Sequence, residues 1–386
     1  MKMPTRKRVL IVGMLDSIHL AKWLQRFDSS LVEFTLFPSK KYKLLHPEIV
    51  KYCKSNSNVK IAHQIFLLPK VSYGYMDYFI HEVVGRYVRA LSRTSSLKRL
   101  LSNDFEYLHA HELQGAGYLC SNVQAYTKAE FILSIWGSDL IYFSQLPDHN
   151  SRILAALTTA NTLSAECVRD YRLAISLGFR GLELPAIPVS ASFSEVVLDL
   201  PPMPVNDRTL IIVKTYGAPF GRGDLAIKAI FEFLQENPEP DVLLYSVGED
   251  LIEQAKLLKA TFPHRVEFRT LKNSIPQNEL YEYFKRSRLY LGVSESDGIS
   301  TSFLEAIALG AYPIQTNTSC GDEWAAIGVM CSLIEVNLSS ILEALSENYF
   351  AIPKLQSAQM INLQIAKQNL EYGQISKKAQ AFYFRD

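Results

Sequence analysis

Asp297 and Glu305 are two acids separated by seven residues, and they flank a place where a helix should start. Ser300, Thr301 and Ser302 offer a hydroxyl cap, and Leu304, Ile307 and Ala308 supply an apolar stripe. Apolar strands, Leu289–Val293 and Ala311–Gln315, lie on either side. Gly298, Ile299, Ser300 and Thr301 present backbone N–H groups at the helix start, where an anion is favoured. Glu305, about one turn in, can accept hydrogen bonds from hydroxyls. An anion site bracketed by two carboxylates suits a nucleoside diphosphate-sugar, with polyol at both ends and phosphate between. The plainer alternative is an acid in a solvated loop and a glutamate on a helix surface.

Lys214 ends a predicted strand, and Arg222 follows eight residues later in a loop bounded by Gly217 and Gly223. Two cations on one mobile loop suit a diphosphate, whose charge grows as a glycosidic bond breaks. Exposed charges at a loop edge are the alternative. In the first half, His111 follows the predicted strand Tyr107–Ala110, and a neutral imidazole there could contact a sugar or a departing phosphate. His109 is read as pointing to the opposite strand face, a packed neighbour. His19, on the first strand–helix connection, is a candidate for the acceptor border. Asp139, after Trp136-Gly137-Ser138, reads equally as a cleft wall or a capped helix start. No His/Asp/Glu spacing resembles a metal centre, and neither a Gly-x-Ser-x-Gly elbow nor a Gly-Lys-Ser/Thr phosphate loop is present.

Ser296-Asp297-Gly298, Glu305-Ala306, Gly310-Ala311-Tyr312-Pro313-Ile314 and Gly321-Asp322-Glu323-Trp324 together resemble the donor-site signature of glycosyltransferase family 4. His109-Ala110-His111, Trp136-Gly137-Ser138-Asp139-Leu140 and Phe220-Gly221-Arg222-Gly223 fall where that family carries similar segments. The resemblance implies an α/β chain of the GT-B fold, two facing Rossmann-like domains with a deep cleft between them and a C-terminal helix crossing back. It also implies a retaining, metal-independent sugar transferase with no cofactor and a nucleotide diphosphate-sugar donor, a UDP-sugar ahead of a GDP-sugar. Glu305 would hold the ribose hydroxyls, Asp297 the transferred sugar, Lys214 and Arg222 the diphosphate, and His111 the donor. Three departures stand out: Asp297 replaces the first glutamate of the Glu-x7-Glu pair, Lys214 replaces an arginine, and the N-terminal glycine loop is reduced to Gly13. They motivate a rival reading, a non-catalytic nucleotide-sugar-binding subunit or sensor. A dinucleotide oxidoreductase lacks its Gly-x-Gly-x-x-Gly after the first strand.

These residues need elements to hold them, and strand-like and helix-like segments alternate along nearly the whole chain, the mark of a parallel sheet covered by helices. Strands are predicted at Arg8–Met14, Leu31–Phe37, Phe105–Ala110, Phe131–Trp136, Thr162–Ser164 and Leu182–Ala186, and a long helix within Tyr75–Leu101. After a proline-rich stretch over 188–207, read as an extended linker, strands restart at Leu210–Lys214, Val242–Val247, Val266–Arg269, Leu289–Val293 and Tyr312–Gln315. The expected organisation is an acceptor-binding domain over 1–190, a nucleotide-sugar domain over 191–360 and a returning helix over 361–386. At 386 residues, two domains fit the chain comfortably.

Five scattered cysteines, odd in number and without a Cys-x-x-Cys pair, argue against a disulfide framework or zinc site and fit a reducing cytosol. Val9–Met14 is too short for a signal sequence, and no stretch approaches a spanning helix. The expected location is cytoplasmic. Residues 1–190 carry 23 Lys and Arg against 15 Asp and Glu, a net of +8 in a chain of net +1. Lys40-Lys41-Tyr42-Lys43 and the run Arg86, Arg89, Arg93, Lys98, Arg99 hold much of this excess. The expected partners are a nucleotide sugar and a glycan or lipid-linked glycan acceptor, with peripheral contact to anionic membrane open beside an ordinary solvated helix face. No recognised nucleic-acid module accompanies the charge, so nucleic acid is not expected.

Overall fold

A computed structural model of the chain describes residues 6–42, 44–62 and 85–385, with residues 85–92 described by backbone alone. Its contacts divide the chain into two compact units. The first comprises 1–165, 170–190 and 378–386, and the second 166–169 and 191–377.

The first unit is built on a parallel sheet whose strands, in chain order, are β1 (Lys7–Gly13), β2 (Val32–Pro38), β3 (Val59–Ile61), β4 (Tyr107–His111), β5 (Glu130–Ser134), β6 (Thr162–Ser164) and β7 (Leu182–Glu183). Their spatial order is β3-β2-β1-β4-β5-β6-β7. Strands covered on both faces read as continuous apolar runs, and Val9, Leu10, Ile11 and Val12 are all fully buried. Alternate residues serve two cores. Leu10, Val12, Leu108, Ala110 and Leu133 pack on one face, while Val9, Ile11, Tyr107 and Ile132 pack on the other with Trp23, Phe382 and Tyr383.

The second unit repeats the plan with β8 (Leu210–Lys214), β9 (Asp241–Val247), β10 (Val266–Thr270), β11 (Ser287–Gly292), β12 (Tyr312–Thr316) and β13 (Ser332–Ile334), ordered β10-β9-β8-β11-β12-β13. Every strand pairing in both sheets is parallel. In each sheet the order reverses direction once, at β1/β4 and at β8/β11. Open α/β sheets bind ligands outside the carboxyl ends of strands at such a switch point. Gly13 and His111 end β1 and β4, Lys214 ends β8, and the loop with Asp297 follows β11.

Two expectations need correction here, and a third is met as far as the described residues reach. The stretch 188–207 is not a plain extended linker, because Ala191, Phe193 and Leu198 bury in the second unit's core and Glu195–Asp199 is helical with Ser194 capping Val197. The C-terminal region is two helices, Ile352–Asn369 and Tyr372–Gln380, and Phe382 and Tyr383 beyond them are fully buried in the first unit. The long helix predicted within Tyr75–Leu101 is described over Gly85–Leu100, and its earlier part lies outside the described residues. Among the described residues no helix is long and apolar enough to cross a membrane.

Candidate functional site

In the second unit, the helix Thr301–Leu309 begins where the hydroxyl run predicts, with Ser300 as its N-cap residue. The hydroxyl does not cap, however: Ser300 makes no side-chain bond to the first turn, and its Oγ lies 3.4 Å from the Tyr290 hydroxyl. Ser300 therefore does not supply the side-chain acceptor that an N-cap residue usually gives the first N–H groups. Ile299 and Ser300 are almost fully buried, and Gly298 donates its N–H to Asp297 Oδ1 at 2.9 Å.

Glu305 sits inside this helix start rather than on its surface, only 4% exposed. Gln277 Nε2, from the first turn of the helix Gln277–Arg286, donates to Glu305 Oε1 at 3.2 Å. Tyr245, Tyr281 and Tyr290 surround it. Burial pushes all three phenols up, and the nearby Glu305 carboxylate adds to the effect. A carboxylate set among phenols is suited to gripping hydroxyl groups.

The two cations do not share a loop as the sequence suggests. Lys214 closes β8, where the Lys214 ammonium lies 3.9 Å from Asp297 Oδ2. Arg222 is the N-cap residue of the helix Gly223–Glu236. Its guanidinium donates to both oxygens of Asp224, at 2.9 and 3.0 Å, and to Glu295 at 2.8 Å. Those acids hold the Arg222 guanidinium protonated even more firmly than usual. Thus Asp297 pairs with Lys214, and Glu295, two residues earlier on the same loop, pairs with Arg222.

The loops after β8 and β11 are joined, not loose. Arg222 N–H donates to Val293 O at 3.0 Å, and Glu295 N–H to Phe220 O at 2.8 Å. Gly221 is needed at this crossing, because a Cβ there would meet Tyr216 O at 2.1 Å. Thr316, which ends β12, and Thr318 just beyond it tie down the other side: Ser294 N–H donates to Thr316 Oγ1 at 2.9 Å, and the Thr318 hydroxyl to Ser294 O at 2.7 Å.

In the first unit, His109 and His111 share a strand face, contrary to the opposite-face reading. Residues two apart on a strand point the same way, and their ring centroids are 5.4 Å apart. His109 is the tethered one, with Nδ1 2.6 Å from the Tyr383 hydroxyl and Nε2 2.8 Å from Ser134 Oγ. Burial lowers its pKa to about 3. His111 is 1% exposed and neither ring nitrogen has a hydrogen-bond partner among the described residues. Burial first, then neighbouring His109, His19 and Arg26, hold His111 well below 6.5 and hence neutral. Trp136 links the candidates, its ring 5.2 Å from His111 and 5.1 Å from His19. Gly13 is what lets His111 approach β1, since a Cβ there would meet the His111 Cβ at 3.2 Å.

Asp139 is an internal brace. Its carboxylate accepts from Trp136 N–H at 2.8 Å and Leu113 N–H at 3.1 Å, and burial raises its pKa to about 8 despite those two bonds. A short helix over Ser138–Ile141 starts here, with Gly137 as an N-cap residue that gives it no side-chain bond. Glu112, which the sequence analysis passes over, accepts from Gly115 and Ala116 N–H at 2.8 Å each and holds the π-helix Leu113–Gly117 that follows His111.

The cysteine reading also changes. Cys167 and Cys320, 153 residues apart, are bonded to each other. Local spacing could not reveal a pair assembled from the ends of two different strands. Together with Glu323 they bring three metal-ligand atoms within 4.8 Å. The sulfurs are committed to each other, though, and the Glu323 oxygens accept from Val168 N–H at 2.9 Å and Arg169 N–H at 2.7 Å. Arg169 is a further residue the motifs miss. Its guanidinium donates to the carbonyls of Asp297, at 2.7 Å, and Thr318, at 3.0 Å. The signal available was position alone, a cation just past a predicted strand end.

No protein-family model matches the sequence, and no curated protein matches it either. Solved structures do match in fold. The chain is similar to the Anabaena protein HepE in complex with UDP and glucose, with a TM-score of 0.69 at 10% identity over 98% of this chain and 99% of that one. It is similar to sucrose-phosphate synthase from Thermosynechococcus elongatus, with a TM-score of 0.72 at 10% identity over 98% of each chain. It is likewise similar to α,α-trehalose 6-phosphate synthase from Burkholderia multivorans, with a TM-score of 0.67 at 11% identity over 98% of this chain and 96% of that one. With two parallel-sheet units and these neighbours, the chain has the GT-B fold.

Proposed function

We propose that this protein is a glycosyltransferase that takes a sugar from a nucleotide diphosphate-sugar, a UDP-sugar in the first instance. The observation that carries the reading is the β8/β11 switch point. A buried carboxylate, Glu305, stands near three phenols at a helix start that the Ser300 hydroxyl does not cap, with Lys214 and Arg222 at adjoining strand and helix ends. The GT-B fold supports it, and HepE, a protein of that fold, is described with UDP and with UDP-glucose.

In this reading Glu305 accepts from the ribose hydroxyls and Asp297 from the transferred sugar. The helix-start backbone at Ile299, Ser300 and Thr301 is assigned to phosphate or sugar oxygens, and Gly298 gives up its N–H bond to Asp297 Oδ1 to join them. Lys214 and Arg222 exchange their carboxylate partners for the diphosphate, whose charge rises as the bond to the anomeric carbon breaks. The acceptor hydroxyl attacks from the face the phosphate leaves, and the phosphate oxygen takes its proton, so configuration is retained without a metal. His111, a neutral imidazole without a hydrogen-bond partner among the described residues, supplies a hydrogen bond to the sugar. His19 is assigned to the acceptor, a glycan or lipid-linked glycan. The transferred group is a hexosyl or N-acetylhexosaminyl unit.

Thermal shifts with UDP-, GDP- and ADP-sugars, followed by turnover with labelled donors, test the reading. A ligand that binds the native state raises its melting temperature. Stabilisation by a UDP-sugar together with transfer or slow hydrolysis is the expected result. Binding with no turnover across the common donors would favour a nucleotide-sugar sensor, a reading to which the acid-paired state of both cations lends support.

A further inference from the structure

We propose that Arg169 is a positioning residue for the Asp297 loop, and that the Cys167–Cys320 bond keeps it in register. The proposal rests on the donor-site reading above. The segment 166–169 belongs to the second unit, and three of its residues, Cys167, Val168 and Arg169, are tied to residues 318–323. Cys167 is bonded to Cys320, Val168 and Arg169 give their N–H groups to Glu323, and the Arg169 side chain crosses to the Thr318 and Asp297 carbonyls.

The Arg169 bonds matter because of which carbonyls they take. Thr318 O also accepts the Asp297 N–H at 3.4 Å, so the guanidinium closes a bridge across both loops at the acid itself. A planar, forked donor can hold two carbonyls at once, which an ammonium cannot do with the same geometry. The Asp297 carboxylate is left facing Lys214. Fixing the Asp297 backbone therefore fixes the reach of a carboxylate one bond shorter than glutamate. The sulfur bond is the covalent member of this clasp, and Cys167 and Cys320 are 2% and 1% exposed.

Opening the clasp is a two-electron step. A dithiol attacks one sulfur, the S–S bond breaks, and Cys167 and Cys320 each end with a proton. The dithiol leaves as its own disulfide. The Arg169 side chain then hangs on a segment that keeps its Glu323 bonds but has lost its covalent tie, and the Asp297 loop loosens.

Amide hydrogen exchange on the full chain, before and after dithiothreitol, reads the loop without any need for turnover. Thiol state is scored in parallel by alkylation after quenching in denaturant. Three alkylated cysteines are expected before reduction, Cys53, Cys120 and Cys331, and five after. Reduction, C167S/C320S and R169A should each speed exchange over residues 294–301 and 316–320 about tenfold, while the β8–β10 amides stay protected. R169K should fall between R169A and the unaltered chain. With UDP-glucose as probe, kcat should fall about tenfold in R169A with UDP affinity unchanged. Unaltered loop exchange after complete reduction, or in a folded R169A variant, overturns the proposal. Five alkylated cysteines before reduction overturn its disulfide part. Absence of any UDP-glucose turnover would count against the donor reading instead, and the exchange result would still stand.

Discussion

Each sheet reverses its strand order at one place, yet the strand ends at the two reversals offer opposite chemistry. At β1/β4 the groups are aromatic and neutral: His111, shielded from water, leans on Trp23, Trp136 and His109. At β8/β11 they are charged and laced with hydroxyls, and each cation is paired with an acid. The difference shows that one topological rule places a site without deciding its chemistry. Acidic partners hold the Arg222 guanidinium, and Asp297 faces the Lys214 ammonium, until a more highly charged diphosphate competes for them. Burial keeps His111 uncharged, fit to share a hydrogen bond but not to balance a phosphate.

The largest expected effect comes from the acid at the heart of the charged site. Glu305→Ala removes the acceptor for two ribose hydroxyls, each bond worth roughly 1.5–3 kcal/mol, so kcat/KM should fall on the order of a hundredfold or more. Steady-state kinetics beside a melting curve check this, and an unchanged kcat/KM in a folded variant would take Glu305 out of the site. Lys214→Ala and Arg222→Ala come next. Each should lower kcat by about tenfold to a hundredfold while uridine binding, measured by calorimetry, hardly changes, because phosphate charge peaks at bond departure. Equal losses for uridine and UDP-sugar would contradict a diphosphate role.

The neutral site makes its prediction through pH. Its histidines have pKa values lowered in the folded chain, so near pH 7 folded and unfolded states are alike in protonation. As pH falls through 6.5 the unfolded chain takes up protons the buried rings refuse, and stability drops until the folded pKa is reached, about 3 for His109. One such histidine costs about 2 kcal/mol between about pH 7 and pH 5. His111→Gln should therefore lose about that much less stability on acidification, as read by urea unfolding at the two pH values. An identical acid loss in the variant would mean that His111 is charged in the folded chain.

How much of this was readable beforehand differs between the two sites for a physical reason. The charged site is written in contiguous stretches, so strand β8 was placed at Leu210–Lys214 and the helix start within two residues of Thr301. What joins those stretches is tertiary. The pairing of Arg222 with Glu295, the Thr316 and Thr318 ties and the Cys167–Cys320 bond link segments far apart in sequence, and no local pattern encodes them. The His109 error was of another kind, since strand alternation puts residues 109 and 111 on one face, and that was available from the sequence. Residue type puts the hydroxyl at the helix start but does not decide its bond: the Ser300 hydroxyl lies beside the buried Tyr290 phenol and makes no bond to the first turn.

The smallest expected effect on the chemistry concerns charge outside both sites. The first 190 residues carry a net +8, and the run Arg86, Arg89, Arg93, Lys98 and Arg99 contributes heavily to it. The side chains of Arg86 and Arg89 lie outside the described residues. Two members of the run have structural work: Arg93 donates to Ser39 O at 3.3 Å, and the Lys98 ammonium rests 3.7 Å from the centre of the Tyr126 ring. Reversing only Arg86, Arg89 and Arg99 to glutamate spares those contacts. If the acceptor is lipid-linked and the helix rests on anionic bilayer, each basic group there is worth ~1 kcal/mol, screened as salt rises. The unaltered protein should then float with phosphatidylserine vesicles at low salt and sediment at high salt, and the triple reversal should sediment at both. Turnover on a short soluble acceptor should be the same for the two proteins, because neither switch point is touched. Failure of the unaltered protein to float at low salt would leave the basic run as a solvated helix face and make a soluble glycan the acceptor to pursue.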